Sequence, residues 1–128
     1  ALLLVKVNPQ VVFLTFGAND ILATKGDEKA YIEQYKALIE KIQKKLPETK
    51  IFINSIFPVQ KWRVEEEPLF EHIAKYNEAL RAMCDKLQIA YVDNTELVTD
   101  RYYEADGMHF KADFYPVWAR RMAEFAAL

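Results

Sequence analysis

Val11-Val12-Phe13-Leu14-Thr15-Phe16-Gly17-Ala18-Asn19-Asp20 is the stretch whose reading decides the fold. The residues before Gly17 favour strand and barely alternate with polar ones, the pattern of a strand buried on both faces. Such strands belong to parallel sheets covered by helices. The run breaks at Gly17 and delivers the Asn19 amide and the Asp20 carboxylate to the carboxyl end of what reads as a central strand. Open α/β sheets keep their binding sites at that edge.

Two further apolar runs follow, Ile51 to Phe57, ended by Pro58, and Ile89 to Val92, closed by Asp93. Between the first two runs Tyr31, Tyr35, Leu38, Ile39, Ile42 and Leu46 recur at helical spacing. Asp27-Glu28 open this helix, and Lys41, Lys44 and Lys45 favour its negative end before Pro47. A second helix is expected from Pro68, with Leu69, Ile73, Tyr76, Leu80, Met83, Cys84 and Leu87 as its apolar face. A last helix runs through Tyr115, Trp118, Met122 and Phe125, with Asp113 as its cap. Residues 59–67 read as a polar loop carrying Trp62, Arg63 and the solvated run Glu65-Glu66-Glu67, and residues 94–112 as a long loop. Residues 1–8 end at Asn8-Pro9 and read either as the last turns of a helix or as a strand over Leu2 to Val7. Right-handed crossovers then lay three parallel strands side by side, with Asn19 and the 94–112 loop on one rim.

Composition narrows the function. The 128 residues fit one domain, and 52% apolar content supports a core. A net charge of −2 with both signs interspersed leaves no basic footprint for nucleic acid. The lone Cys84 excludes an internal disulfide and leaves the compartment open; on a helix's apolar face it reads as core. Ala1 to Val5 is too short to span a bilayer and lacks the flank and cleavage site of a signal peptide. His72 reads as a surface residue, and two separated histidines without clustered carboxylates make no metal site.

The sharpest chemistry lies in Asp106-Gly107-Met108-His109. A carboxylate three residues before a histidine, with a glycine between to permit a tight turn, lets Asp106 accept from one ring nitrogen and frees the other as a general base. Asn19 can offer an amide donor to a developing oxyanion. Taken alone, His109 reads as well as a solvated loop histidine and Asp106-Gly107 as a plain turn; their shared rim with Asn19 argues for a site. Trp62 and Arg63 fit either a substrate lid or packing back on the body. Tyr102-Tyr103 fit either a pocket wall or a loop anchor.

Gly17-Ala18-Asn19-Asp20 after an apolar strand, with Asp106-Gly107-Met108-His109 before an aromatic terminal helix and Tyr76-Asn77 between them, resembles the SGNH hydrolases, the GDSL lipase/acylhydrolase family. The resemblance runs from Pro9 onward. It implies a flavodoxin-like α/β/α sandwich, here with three strands and three to four helices. It also implies a serine esterase acting on ester-linked acyl groups, often of carbohydrates or lipids, without metal or organic cofactor. By that resemblance His109 is the general base, Asp106 its orienting carboxylate and Asn19 an oxyanion-hole donor, while Gly17, Asp20 and Gly107 shape the site.

The departures matter equally. The family's Gly-Asp-Ser nucleophile segment and the glycine after its second strand are not in this chain, and Phe114-Tyr115 stands where Gly-Tyr is common. The only serine, Ser55, lies in a framework strand and is not expected to be the nucleophile. Residues 1–128 are therefore expected to be one amino-terminally incomplete domain, inactive alone, which joins a missing amino-terminal segment, dimerises through the apolar edge of strand 11–16, or covers it with residues 1–7. The alternative is a non-catalytic α/β module that binds a small ligand at the same rim. With three glycines and no phosphate-cradling loop, a nucleotide binder is a distant third.

Overall fold

The computed structural model describes residues 6–127. Strands β1 (Val11–Leu14), β2 (Lys50–Asn54) and β3 (Ala90–Val92) form one parallel sheet in the order β1-β2-β3. Val12 stands opposite Ile51, Leu14 opposite Ile53, and Asn54 opposite Val92. The strand buried on both faces is β2, whose residues from Ile51 to Asn54 are all buried. In β1 only Val12 is buried, and among the described residues β1 pairs with β2 alone. Among the described residues it is therefore the edge expected of strand 11–16, and β2 is the central strand. Both runs lack polar alternation, so sequence periodicity could not tell one from the other.

Five α-helices accompany the sheet among the described residues: α1 (Ala18–Ala23), α2 (Glu28–Lys45), α3 (Lys61–Glu66), α4 (Ile73–Leu87) and α5 (Tyr115–Ala126). This exceeds the expected three to four, because α1 and α3, of six residues each, are too short to carry a helical period. Residues 59–67 are thus not simply a loop, and the 94–112 segment contains short 3₁₀ turns. Asp27 caps α2 by accepting from the Lys29 and Ala30 amides at 3.1 and 3.2 Å. Pro68 opens a 3₁₀ turn (Pro68–His72) ahead of α4. That turn alters the side-chain phase, so His72 is half-buried against Gly26 and not a plain surface residue. Asp113 caps nothing: it sits inside another 3₁₀ turn (Ala112–Phe114), and Pro116 takes the first turn of α5, where its missing N–H costs nothing. Lys6 and Val7 are helical; the rest of the reading of residues 1–7, including any cover for β1, lies outside the described residues.

Because side chains alternate along a strand, Ile51 and Ile53 face one way and Phe52 and Asn54 the other. The isoleucines join Tyr31, Tyr35, Ile39 and Ile42 of α2 and Tyr76, Leu80, Met83 and Cys84 of α4 in one apolar core. Burial pushes the Cys84 thiol up to about 11, as befits a core residue. On the opposite face Phe52 stacks on Phe13, and Asn54 meets α5 through Trp118 and Met122. The result is helix, sheet, helix: a three-layer α/β/α fold.

Asn54 joins these layers. Its amide donates to Thr15 Oγ1 at 3.0 Å, and its carbonyl accepts from Asn94 Nδ2 at 2.9 Å and Trp118 Nε1 at 3.3 Å. Asn77 makes a second clamp, accepting from the Ile56 N–H at 2.8 Å and donating to the Ile56 carbonyl at 3.1 Å. Together they hold the chain where it leaves β2 for the rim.

Candidate active site

The 94–112 segment becomes a small hairpin around Asp106 and His109. An antiparallel bridge between Tyr103 and Phe110 closes its base, flanked by bonds from Glu104 N to His109 O at 2.8 Å and from Lys111 N to Tyr102 O at 2.7 Å. Tyr102 and Tyr103 are both buried, and the Tyr103 hydroxyl donates to the Pro58 carbonyl. These tyrosines anchor the loop. Beneath them Phe110 stacks on Phe114, and Phe57 meets Phe110, Phe114 and Trp118 edge-on.

At the tip, Gly107 adopts φ +70°, a left-handed conformation that suits glycine. The turn lets Asp106 use both oxygens. Oδ1 accepts the Met108 and His109 amides, each at 2.9 Å, and Oδ2 lies 2.5 Å from His109 Nδ1. Those bonds, the imidazole first, hold the Asp106 carboxyl down at about 2. The carboxylate can only accept, so Nδ1 carries the proton, and in the neutral imidazole the lone pair is then on Nε2. Among the described residues Nε2 has no hydrogen-bond partner.

His109 and Met108 form one wall of a cleft of about 260 Å³. Gly17, Asn19 and Asp20, from the turn between β1 and α1, line the same cleft, as do Phe57, Tyr115 and Trp118. The structure thus gathers Gly17, Asn19, Asp20 and His109 around one space, with Asp106 and Gly107 behind the histidine. Gly17 itself has an extended backbone at φ −105°, and a Cβ there would meet nothing within 4 Å, so neither strain nor crowding demands glycine. Ser55 is not in the cleft. It is fully buried, and its Oγ accepts from the Asn94 N–H at 2.9 Å. A larger hollow of about 420 Å³ lies beside α4 and β3, but its polar groups include Arg81 and Asp93, paired with each other at 3.1 Å, and no histidine. The Asp106–His109 pair borders the smaller cleft.

Sequence reasoning missed Asn54, Asn77 and Asn94 as framework residues. The available signal was polarity out of place: Asn54-Ser55 inside an apolar run, and Asn77 within a helix.

Comparison with known proteins comes to the same fold. The model of the GDSL-like Lipase/Acylhydrolase family matches residues 2–117. No curated protein sequence matches the chain. Among solved structures, a GDSL-like lipase from Bacteroides thetaiotaomicron is similar at 20% identity and TM-score 0.75, covering 99% of this chain and 70% of its own. A Clostridium thermocellum family 3 carbohydrate esterase is similar at 26% identity and TM-score 0.71, covering 94% and 57%. The esterase domain of a zebrafish retrotransposon ORF1 protein is similar at 17% identity and TM-score 0.69, covering 80% and 64%. The chain spans 62% and 66% of the first two solved chains it matches.

Proposed function

The chain belongs to the GDSL-like lipase/acylhydrolase family, and from that membership we propose that residues 1–128 are part of a serine ester hydrolase whose nucleophile lies outside them. His109 is the general base, Asp106 orients it, and Asn19 donates to the oxyanion. The observation that carries this reading is the Asp106 Oδ2 to His109 Nδ1 bond, which leaves Nε2 without a partner among the described residues, on a histidine that shares a cleft lining with Asn19.

The chemistry follows from these positions. A serine hydroxyl attacks the ester carbonyl carbon and passes its proton to Nε2; the Asp106 carboxylate steadies the imidazolium. Charge gathers on the carbonyl oxygen, where the Asn19 amide donates; such a donor contributes about 10²–10³ in kcat. The C–O bond breaks as the imidazolium gives its proton to the leaving alcohol. Water then repeats the sequence on the acyl-enzyme, drawing on side chains alone. Likeness to the carbohydrate esterase and membership of a lipase/acylhydrolase family support ester-linked acyl groups, on carbohydrate or lipid, as the substrate class.

The test is hydrolysis of p-nitrophenyl acetate by the full-length protein, with fluorophosphonate labelling followed by peptide mapping. His109→Ala should lower kcat by about 10³ or more, and Asn19→Ala by about 10²–10³. The label should map outside residues 1–128. An adduct on Ser55, or full activity in His109→Ala, would refute the assignment.

A further inference from the structure

We propose that Trp62, held by Gln60, is a positioning residue for His109, bracing the tip of the Asp106–His109 hairpin from outside the cleft. This rests on His109 being the general base, but the primary readout below does not.

The contacts form a closed ring. The Gln60 N–H donates to the Gly107 carbonyl at 2.9 Å. Gln60 Oε1 accepts from Trp62 Nε1 at 3.0 Å, and Gln60 Nε2 donates to Asp100 Oδ1 at 3.3 Å. Asp100 starts the 3₁₀ turn (Asp100–Tyr102) that feeds the hairpin's base. The residue before α3 therefore grips the hairpin at both ends, and its side chain fixes the indole.

The indole in turn covers Gly107. A Cβ built on Gly107 would lie 2.7 Å from Trp62 Cζ2 and 2.8 Å from Cε2, distances that real Cβ atoms essentially never show, and 3.0 Å from Nε1. Gly107 is thus required twice, by its φ of +70° and by the ring above it. Trp62 is 43% exposed and is not among the cleft's lining residues, so its effect on chemistry passes through the loop. Gly107 sits between Asp106 and His109, and any drift of this tip moves the carboxylate and the imidazole together. Catalytic groups tolerate little of that: a displacement of about 1 Å can cost about 10²-fold in rate.

The Met108 and His109 amides, which donate to Asp106, give the readout. Their hydrogen exchange is followed in the full-length protein for Trp62→Ala, Trp62→Phe, Gly107→Ala and the Trp62→Ala/Gly107→Ala pair, with the Ile53 amide as a core reference. Trp62→Ala should speed exchange at both loop amides by about tenfold while Ile53 is unchanged; Trp62→Phe, which keeps a ring over Gly107, should stay within about twofold. Gly107→Ala should loosen the tip in the natural background but add less once Trp62 is gone, because only the backbone strain remains. In the same proteins kcat for p-nitrophenyl acetate should fall about ten- to hundredfold in Trp62→Ala with KM within about twofold, and recover in Trp62→Phe. Unchanged loop exchange in Trp62→Ala, or fully multiplicative effects in the pair, would overturn the brace. Loosened amides in a protein that hydrolyses no ester would uphold the brace and overturn the catalytic reading.

Discussion

Replacing Asn77 by alanine removes both hydrogen bonds that its amide makes to the backbone of Ile56, at 2.8 and 3.1 Å. Ile56 is fully buried, so its N–H and C=O would lose their partners in a place where water does not freely follow. Two net bonds at about 1 kcal/mol each set a floor of about 2 kcal/mol. Leaving both backbone groups unsatisfied would raise this to about 4 kcal/mol. Asn77 is itself half-buried and borders the 420 Å³ hollow, which admits water and pulls the expectation toward the lower figure. Urea unfolding of the natural and Asn77→Ala proteins, followed by far-UV circular dichroism, measures the difference. Asn77→Asp is the control. Its carboxylate still accepts from the Ile56 N–H but turns an oxygen toward the Ile56 carbonyl, so at neutral pH it should cost at least as much as alanine. Acidification, which restores a donor, should narrow the gap. A loss below about 0.5 kcal/mol for alanine, or an aspartate variant as stable as the natural protein at neutral pH, would refute the clamp.

Two other predictions concern single carboxylates. Asp106 titrates at about 2 when folded, below the ~3.9 of an unfolded aspartate, so its pairing is present above about pH 4 and lost as pH falls toward 2. A carboxyl-carbon NMR titration should find that low midpoint and see it rise in His109→Ala, which removes the largest cause; an unmoved midpoint would separate the two residues. Asp27→Ala strips the cap from α2 and should cost about 1 kcal/mol in urea unfolding, whereas Asp27→Asn, an equally good cap, should cost only a few tenths.

The elements that sequence made legible are those long enough to display a period or a run. The α2 pattern from Tyr31 to Leu46 and the apolar run that becomes β2 carry their own signals, and so does the order of strands and crossovers. The Asp106 and His109 pairing was legible because its geometry is local, fixed by one short turn. Its place opposite Asn19 is not local; it follows only once the parallel sheet brings two carboxyl-terminal turns to the same rim. Hidden from sequence were α1 and α3, too short for periodicity, and the phase shift that tucks His72 against Gly26. The asparagine clamps were hidden as well, because a polar residue in an apolar context signals a partner without saying which. Trp62 was ambiguous for the same reason: exposure and aromaticity do not reveal which backbone the ring covers.

The chain holds two tryptophans, and the fold has placed them on either side of one histidine loop. Trp62 lies over Gly107 from outside, and Trp118 lines the cleft within. Each indole N–H donates to an amide oxygen, of Gln60 and of Asn54 respectively, so each ring is held in a defined polar setting. The protein therefore contains its own optical reporters. Occupancy of the cleft should perturb the emission of Trp118 first, and motion of the loop that of Trp62. With either one replaced by phenylalanine, the other is the single indole of residues 1–128, a reporter without any attached dye.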